Sequence, residues 1–447
     1  MKKIVASVGL VALGASGLYS APIPGLTEEG GKNWSVSATL RGFYDDNFNT
    51  APKGPDKQSA FGIEISPSIN VAFPWQQTQL TLGYTYSFKY YDHRPAENSV
   101  KYDQIHLFNA ALDHAFNERY KLSVRESFAI GQEPDVLRTE NTFVTFQRLS
   151  GDNIRNYGSI ALDGQLTRLL GFEVGYDNSY FDYAQKGADI VDLGGGDATI
   201  VPSNSGLLDR IENGIHIDSR WMFLPDTVAI FGYKFRDISF TADEDIGVEL
   251  LPSGVHRIRS DERDFREHSI YVGAEHTFNP SLIGAFRAGG SYVDYYNDSS
   301  GSHGDFGPYA LANLRYTYLP QSFVEIGMSE DFNATDVTGL RLDTGGNALS
   351  TSFARSQQAT SVYGSINHQF IPQLSGSLMG QFQYSSFNGG DVSSESERYF
   401  LVGLNLTYRL TPNFSTEIGY NYDKLDSDIN GRTFDRNRVY IGVTGKY

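Results

Sequence analysis

Hydrophobic and polar residues alternate with a period of two along most of the chain after residue 33. In segment 80–90, LTLGYTYSFKY, Leu and aromatic residues occupy the even positions, and Thr, Gly, Ser and Lys occupy the odd ones. Segment 400–410, FLVGLNLTYRL, repeats the pattern with Gly, Asn, Thr and Arg on its second face. Successive side chains of a strand point to opposite faces, so this alternation predicts β-strands with one apolar and one polar face.

Two kinds of connection separate these strands. The long connections are polar and variable, and they include 131–151, 184–208, 242–262 and 335–353. The short connections recur roughly every 40–55 residues, and most place an aromatic residue or Leu shortly before Pro, which ends a strand ladder. The short connections are 73–76, 116–119, 169–172, 223–226, 278–281, 318–321, 370–373 and 410–413. Strict alternation of short and long connections predicts a repeat of hairpins.

The pattern predicts about 18 strands, within a range of 16–18, and no helix. The predicted strands are 34–48, 58–73, 77–91, 101–116, 120–131, 153–168, 171–183, 209–223, 227–241, 265–278, 281–296, 305–319, 321–332, 356–370, 373–387, 397–410, 413–425 and 436–447. Most are longer than the 5–6 residues usual in a β-sandwich. With no helix to cover an open edge, closure is the way to pair every strand. The predicted fold class is therefore all-β: a transmembrane antiparallel up-and-down β-barrel with short periplasmic turns and long external loops.

The N-terminus has the features of an export signal. Lys2 and Lys3 precede an apolar stretch, 4–18, that is too short to span a bilayer, and small residues follow it. Cleavage is expected near Ser20. The predicted organisation is a signal peptide at 1–20, a short periplasmic segment at 21–33 and the barrel at 34–447. A buried N-terminal helix is the alternative interpretation of the apolar stretch.

Composition excludes several classes of protein. The 53 Asp and Glu residues exceed the 36 Lys and Arg residues, which gives a formal charge of −17 and argues against a nucleic-acid partner. The absence of Cys excludes disulfides, thiol nucleophiles and Cys-ligated metals. No spacing of side chains indicates a catalytic, metal or cofactor site, so no enzyme and no cofactor are predicted. A surface esterase would need a Ser–His pair near the membrane interface; His276 and His368 are the histidines expected there, but no Ser is selected by spacing.

The last strand alternates up to a terminal aromatic residue, with Val439, Ile441, Val443, Gly445 and Tyr447 on one face. It resembles the C-terminal signal through which the barrel assembly machinery recognises bacterial outer-membrane proteins, although those proteins usually end in Phe. Together with the export signal and the hairpin repeat, residues 34–447 resemble the outer-membrane β-barrel porins of Gram-negative bacteria. The resemblance is architectural and assigns no binding residue. It implies a pore or a polysaccharide-export channel in the outer membrane.

Alternation also predicts which charged side chains face the barrel interior. The pore-lining candidates are Arg41, Lys89, Arg125, Asp163, Glu173, Asp218, Arg220, Lys234, Arg287, Arg315 and Arg409. The same face takes Arg236, Glu64, Asp113, Asp177, Glu212, Glu275, Glu325 and Glu417. One interpretation is a charged filter that orients solutes, with acids crowded at 163–218 and bases at 234–315. The other is that any water-filled interior is polar and its charges pair across strands.

The third external loop, 131–151, is the candidate constriction. Its centre, 142–146, is apolar, so packing against the inner wall would bury Phe143 and Phe146 and bring Glu133, Asp135 and Glu140 to the pore. In porins generally this loop folds inward, which the resemblance also implies here. The alternative is that 142–147 extends a neighbouring strand above the membrane.

The function expected from these observations is passive diffusion of small hydrophilic solutes or ions across the outer membrane. The expected partners are the lipid bilayer, the barrel assembly machinery and the solutes themselves, with the oligomeric state unassigned. Two alternatives stay open: a secretion channel for an exopolysaccharide, and a non-conducting surface or adhesion barrel.

Overall fold

The computed structural model describes residues 32–52, 54, 57–94, 101–132, 151–194, 197–251, 254–297, 304–342, 348–389, 392–393 and 395–447. Eighteen long strands form one sheet. They are β1 (Trp34–Asp45), β2 (Ala60–Pro74), β3 (Thr78–Tyr91), β4 (Tyr102–Ala115), β5 (Tyr120–Gly131), β6 (Asn153–Gln165), β7 (Leu170–Tyr183), β10 (Arg210–Leu224), β11 (Thr227–Phe240), β14 (Phe265–Asn279), β15 (Leu282–Asp294), β16 (Asp305–Leu319), β17 (Ser322–Asn333), β20 (Ser356–Ile371), β21 (Leu374–Asn388), β22 (Ser396–Thr411), β23 (Phe414–Ser427) and β24 (Phe434–Lys446).

The sheet closes on itself. Each long strand pairs antiparallel with the next along the chain, and β1 also pairs with β24, with Leu40 opposite Val443. Closure leaves no barrel strand with an unpaired edge, so the ladder satisfies backbone N–H and C=O groups all the way round. The predicted fold class and strand number are confirmed: the chain is an 18-stranded antiparallel up-and-down barrel.

Side chains of the short turns explain where the strands end. Asn117 accepts hydrogen bonds from the backbone N–H groups of Arg119 and Tyr120, at 2.8 and 3.1 Å. Thr411 does the same for Asn413 and Phe414, at 3.3 and 3.0 Å. Such side chains replace the strand partner with a local one, which favours a tight turn.

The long connections contain more structure than the sequence predicted. Three short hairpins lie within them: β8 (Asp189–Gly194) with β9 (Asp197–Val201), β12 (Asp245–Leu251) with β13 (Gly254–Arg259), and β18 (Thr338–Leu342) with β19 (Ala348–Phe353). A short helix, α1 (Asn204–Leu208), and a 3₁₀ turn, Ser260–Arg263, complete them. The prediction of no helix was therefore wrong at α1, which begins where the Ser203 hydroxyl accepts a hydrogen bond from Gly206 N–H. No helix in the described part of the chain is long and apolar enough to cross a membrane.

The two faces of the wall differ in chemistry. Exposed Leu, Ile, Val and aromatic side chains alternate along each strand with polar ones, and Trp75 and Trp221 lie on the apolar face at the short-turn end. His276 and His368 also occupy this face, where their Nδ1 atoms hydrogen-bond to the hydroxyls of Thr227 and Tyr318, at 2.7 and 2.8 Å. The interfacial aromatic residues match the girdle of a membrane barrel.

We expect a charged substitution to be tolerated on the inner face of the wall but not on the apolar outer face. Leu404 lies on the apolar face near the middle of β22, whereas Asn405 hydrogen-bonds inside to Tyr440 at 2.8 Å. Leu404→Arg should lower the free energy of unfolding in bilayers by about 2–4 kcal/mol, because it places a cation in hydrocarbon. Asn405→Arg should have a much smaller effect, since Glu417 lies 3.4 Å from the Asn405 side chain. Urea titrations in lipid vesicles measure both, and equal losses would show that the apolar face does not meet lipid.

Candidate functional site

The polar face of the wall faces the barrel interior. Lys234 on β11 contacts Asp331 on β17 at 2.5 Å, although β14, β15 and β16 lie between these strands. Such a contact is possible only across the inside of the curved wall. The predicted pore-lining residues all lie on this face, opposite the exposed apolar residues of their strands: Arg41, Lys89, Arg125, Asp163, Glu173, Asp218, Arg220, Lys234, Arg287, Arg315 and Arg409. Their contact with a solute stays a prediction.

Three carboxylates lie side by side on neighbouring strands. The register places Asp163 on β6 opposite Glu173 on β7, and Glu173 opposite Asp218 on β10. Like charges in direct register destabilise a sheet unless cations lie between them. Arg220 supplies one: its guanidinium donates to Glu173 at 3.0 Å and to Glu275 on β14 at 2.6 Å. The Arg220 cation therefore offsets the repulsion between the carboxylates of this acidic row.

His216 and Arg287 complete the compensation. The His216 Nε2 atom lies 3.3 Å from Glu173, and its Nδ1 atom lies 3.5 Å from Asp177. Arg287 donates to Asp218 at 3.2 Å and lies 3.6 Å from Glu275. The Tyr271 hydroxyl donates to the other Asp218 oxygen at 2.6 Å, so this fully buried carboxylate has both a cation and a hydroxyl partner.

A second ionic cluster joins β11, β14 and β17. Arg236 pairs with Glu267 at 2.5 Å and lies 3.8 Å from Asp331, which also pairs with Lys234. Glu267 and Asp331 were not among the predicted residues. Strand alternation could have found both, because Glu267 has the parity of Glu275 and Asp331 that of Glu325.

Other predicted charges form smaller groups. Arg41 pairs with Glu417 at 2.5 Å and lies 3.7 Å from Glu64, so it links β23, β1 and β2. Two further pairs are Arg125 with Asp113 at 2.6 Å and Arg315 with Glu325 at 3.4 Å. Lys89 is buried, whereas Arg409 is exposed at the short-turn end.

Acids and bases are interleaved rather than separated. The interpretation with acids crowded at 163–218 and bases at 234–315 required the strands to keep these charges apart, and they do not, because Arg287 reaches Asp218 and Arg220 reaches Glu275. One strand separates β10 from β14 and two separate β10 from β15, so these Arg side chains reach across the inner wall and the two blocks of sequence share one surface.

The inner side of β20 and β21 carries no Asp, Glu, Lys or Arg residue. Beside these strands, Tyr399, Leu401, Leu425 and Phe434 on β22–β24 form a buried apolar cluster next to Met379. The inner wall thus has ion pairs over much of its circumference and a second, neutral sector at β20–β21. Several neutral polar groups extend the second sector: Ser361, Tyr363, Gln383, Ser385, Asn405 and Asn421.

A segment of the seventh long connection bridges the end of the barrel. Residues 334–337 follow β17, and Arg432 donates to Asp336 at 2.9 Å. Arg263 donates to the Thr335 carbonyl and, at 3.0 Å, to the carbonyl of Leu207 in α1. Arg432 lies in the connection between β23 and β24, and Arg263 lies in the connection between β11 and β14. Around the barrel, eight strands separate these two connections in one direction and ten strands separate them in the other. The bridge segment, 334–337, therefore links nearly opposite sides of the barrel.

Apolar contacts hold both ends of the bridge segment. Val337 packs with Phe387, Val392 and Ile429, which lie on or beside the connections after β21 and β23. Ala334 joins a buried cluster of β11, β14 and β15 side chains. All four residues of the segment are at most 5% exposed. Sequence periodicity gave no signal for this segment, because its partners Arg263 and Arg432 lie 72 and 96 residues away along the chain, beyond any local pattern.

The predicted constriction lies outside the described residues. Glu133, Asp135, Glu140, Phe143 and Phe146 all belong to 133–150, which is not among the described residues. Their role stays a prediction.

The C-terminal aromatic residue stands where the barrel closes. Tyr447 N–H donates to the Val36 carbonyl at 2.8 Å, and its ring centroid lies 5.8 Å from that of Trp34. The side chain is exposed on the apolar face. Its recognition by assembly machinery stays a prediction.

Two carboxylates accept backbone hydrogen bonds where long connections meet the barrel strands. Asp209, just before β10, accepts the N–H of Tyr183 at 2.6 Å, and Asp264, just before β14, accepts the N–H of Phe240 at 2.6 Å. Burial raises the pKa of Asp209 to about 6 and that of Asp264 to about 6. Burial, and then the charge of Arg210, lower the pKa of Arg263 to about 9.

These raised pKa values predict a pH-dependent stability of the long connections. These two carboxyl groups bind protons more tightly in the folded connections than in unfolded ones, so the stability that they contribute is fully present below about pH 4 and is lost as pH rises through about 6. Amides of α1 and of the 3₁₀ turn should exchange hydrogen more slowly at pH 5 than at pH 7.5, after correction for intrinsic exchange rates. Mass-spectrometric hydrogen exchange measures this. The double variant Asp209→Asn, Asp264→Asn should lose the difference, and a difference that persists in it would contradict the assignment.

The comparisons with known proteins concern the fold and the last strands. The structure is similar to the outer membrane protein opdK from Pseudomonas aeruginosa, with 12% identity and a TM-score of 0.43 over 93% of this chain and 99% of that one. It is also similar to OccAB4 from Acinetobacter baumannii, with 13% identity and a TM-score of 0.42 over 93% and 99%. No curated protein sequence matches the chain. The family model described as "Putative beta-barrel porin 2" matches residues 354–447. Over β20–β24 the chain thus matches a β-barrel porin family, and all its long strands form one closed 18-stranded barrel.

Proposed function

We propose that the protein is an outer-membrane channel for the passive diffusion of small hydrophilic solutes or ions. The observation that carries the proposal is the contrast between the two faces of one closed wall. The outer face is apolar with an aromatic girdle, and the inner face carries ion pairs and hydroxyls on strand after strand. A solute entering the barrel exchanges water for these polar groups, so the wall lowers the cost of crossing the bilayer.

The arrangement of charge supports weak selectivity between cations and anions. Glu173, Asp218 and Glu275 alternate with Arg220 and Arg287 over a few strands, so the inner wall has no large region of one sign. Such interleaved charges orient dipolar or zwitterionic solutes more strongly than they exclude either ion.

Targeting belongs to the same proposal. The export signal at 1–20, with cleavage near Ser20, delivers the chain to the periplasm, and the barrel assembly machinery recognises the last strand with Tyr447. The position of Tyr447 next to Trp34 at the β1–β24 closure supports a role in completing the barrel.

A second candidate is a non-conducting surface barrel. The bridge segment and the buried ion pairs favour it, because both fill space that a solute would need. An exopolysaccharide channel would be expected to carry a more uniform charge, and the interleaved wall does not favour it.

Liposome swelling separates the two candidates. Vesicles containing the purified barrel should swell in isosmotic solutions of arabinose and glycine and swell less as sugar size increases. A folded barrel, recognised by its heat-modifiable gel mobility, that gives no swelling with any solute would contradict the channel and favour the surface barrel.

The bridge segment is expected to restrict passage. Asp336→Asn removes one end of the ion pair with Arg432, while Arg432 keeps its contact with Glu397 at 2.5 Å. The variant should raise single-channel conductance or the open fraction, because the bridge loses its charge-assisted contact. Arg257→Gln is the control, since it breaks an exposed pair with Asp245 in the β12–β13 hairpin. Equal conductance in the wild type, the control and Asp336→Asn would contradict the role of the bridge.

The third external loop gives an independent prediction. Deletion of 135–147 should increase single-channel conductance, because it removes the apolar centre and the acids Asp135 and Glu140 that would fold against the inner wall. Planar-bilayer recordings of the deletion variant measure this. If the barrel folds and its conductance does not change, the loop lies outside the pore.

A further inference from the structure

One carboxyl group occupies an unexpected place on the apolar outer face. Glu126 lies on β5 and shares its face with Val124 and Phe128, while Arg125 and Ser127 point inside. Its register partners are Ala110 on β4 and Gly158 on β6. Both partners are small, so the carboxylate is exposed on the outer surface rather than covered by its neighbours.

The two histidines of β4 give the depth of this carboxylate. His106 and His114 lie on the outer face, eight residues apart, and hydrogen-bond to Tyr84 at 2.9 Å and Thr78 at 2.7 Å. With a rise of about 3.3 Å per residue, the two histidines lie about 26 Å apart along the strand, one at each end of an apolar stretch. Ala110 is midway, so its partner Glu126 lies about 13 Å along the strand from either polar boundary. Glu126 is therefore close to the middle of the apolar band.

A groove lies beside Glu126 on the outer face. It has a volume of about 310 Å³ and runs across β2–β5. Ala110 and Glu126 both line the groove, together with Gly83 and Asn109. The other lining residues are apolar or aromatic: Ile69, Val71, Leu82, Tyr84, Phe108 and Phe128. The groove is thus mostly apolar and has one carboxylate beside it.

Nothing in the described part of the chain neutralises this carboxylate. Glu126 has no hydrogen bond or ion pair there. The strand cations that face outward in the described residues are Arg266, Arg398 and Lys424, and all three lie near the long-connection ends of their strands. A second copy of the chain could not bring any of them to the depth of Glu126. Ionisable groups at this depth are costly in lipid and mark functional sites.

We infer that the outer face over β2–β6 is a docking surface for a membrane-spanning segment of another protein, which places a Lys or Arg side chain against Glu126. Charge complementarity selects the occupant, because a carboxylate in an apolar slot is best matched by a cation with an apolar stem. The stem lies along Leu82 and Phe108, and the charged head reaches Glu126. The inference requires the barrel to be in a membrane but does not depend on whether its interior conducts.

Photocrosslinking in intact cells of the natural host tests the inference. p-Benzoylphenylalanine replaces Phe128, which lines the groove, and in the matched control it replaces Phe286, an outward residue of β15 on another part of the wall. An adduct with one polypeptide is expected at 128 and not at 286. Sequencing of the crosslinked peptide should find a Lys or Arg within an apolar membrane-spanning segment.

The dependence on charge separates docking from chance proximity. With the crosslinker at 128, Glu126→Leu should reduce the adduct about tenfold, equivalent to about 1.4 kcal/mol. Glu126→Leu removes a charge from the apolar face, so the barrel should still fold. Glu126→Lys combined with Glu at the partner's cation should restore the adduct. An adduct of twice the chain mass, adducts with lipid alone, or a yield unchanged by Glu126→Leu would each overturn the inference.

Discussion

Pairing of every barrel strand with two neighbours is the constraint on which the rest of this structure depends. A bilayer offers no water to an unpaired backbone N–H or C=O, so a sheet can cross it only when its edges meet. Here β1 meets β24 over nine register pairs, from Ser37–Lys446 to Asp45–Arg438. Once the sheet is closed, the period of two along each strand becomes a difference between outside and inside. The apolar girdle and the ionic wall follow from that difference, and Glu126 is an exception to it.

Charge compensation is the second constraint, and it acts across strands. Asp163, Glu173 and Asp218 would repel one another in their register, and Arg220 on β10 and Arg287 on β15 offset that repulsion. A buried charge that loses its partner is strongly destabilising, so these residues hold the wall as well as line it. The same side chains therefore serve stability and, in the proposed channel, contact with solute. Glu126 stands apart because its compensation has to come from outside the chain.

Strand boundaries and the facing of side chains could be predicted from the sequence, because both depend on local alternation. The predicted strand at 120–131 matches β5 at both ends, and that at 305–319 matches β16. Arg41 and Asp218 lie on the predicted face for the same reason. The pairing of charges could not be predicted, since the partners of Arg287 come from two other strands. The bridge segment was also missed: its contacts with Arg263 and Arg432 join connections that are far apart in sequence and meet only when the barrel has closed.

The central claim, that this closed barrel conducts through a polar interior, is tested most directly by planar-bilayer recording of the purified wild-type protein. The account predicts discrete conductance steps in potassium chloride, with a reversal potential in a salt gradient that shows only weak preference for cation or anion. Insertion of folded, heat-modifiable barrel without any conductance step would contradict it.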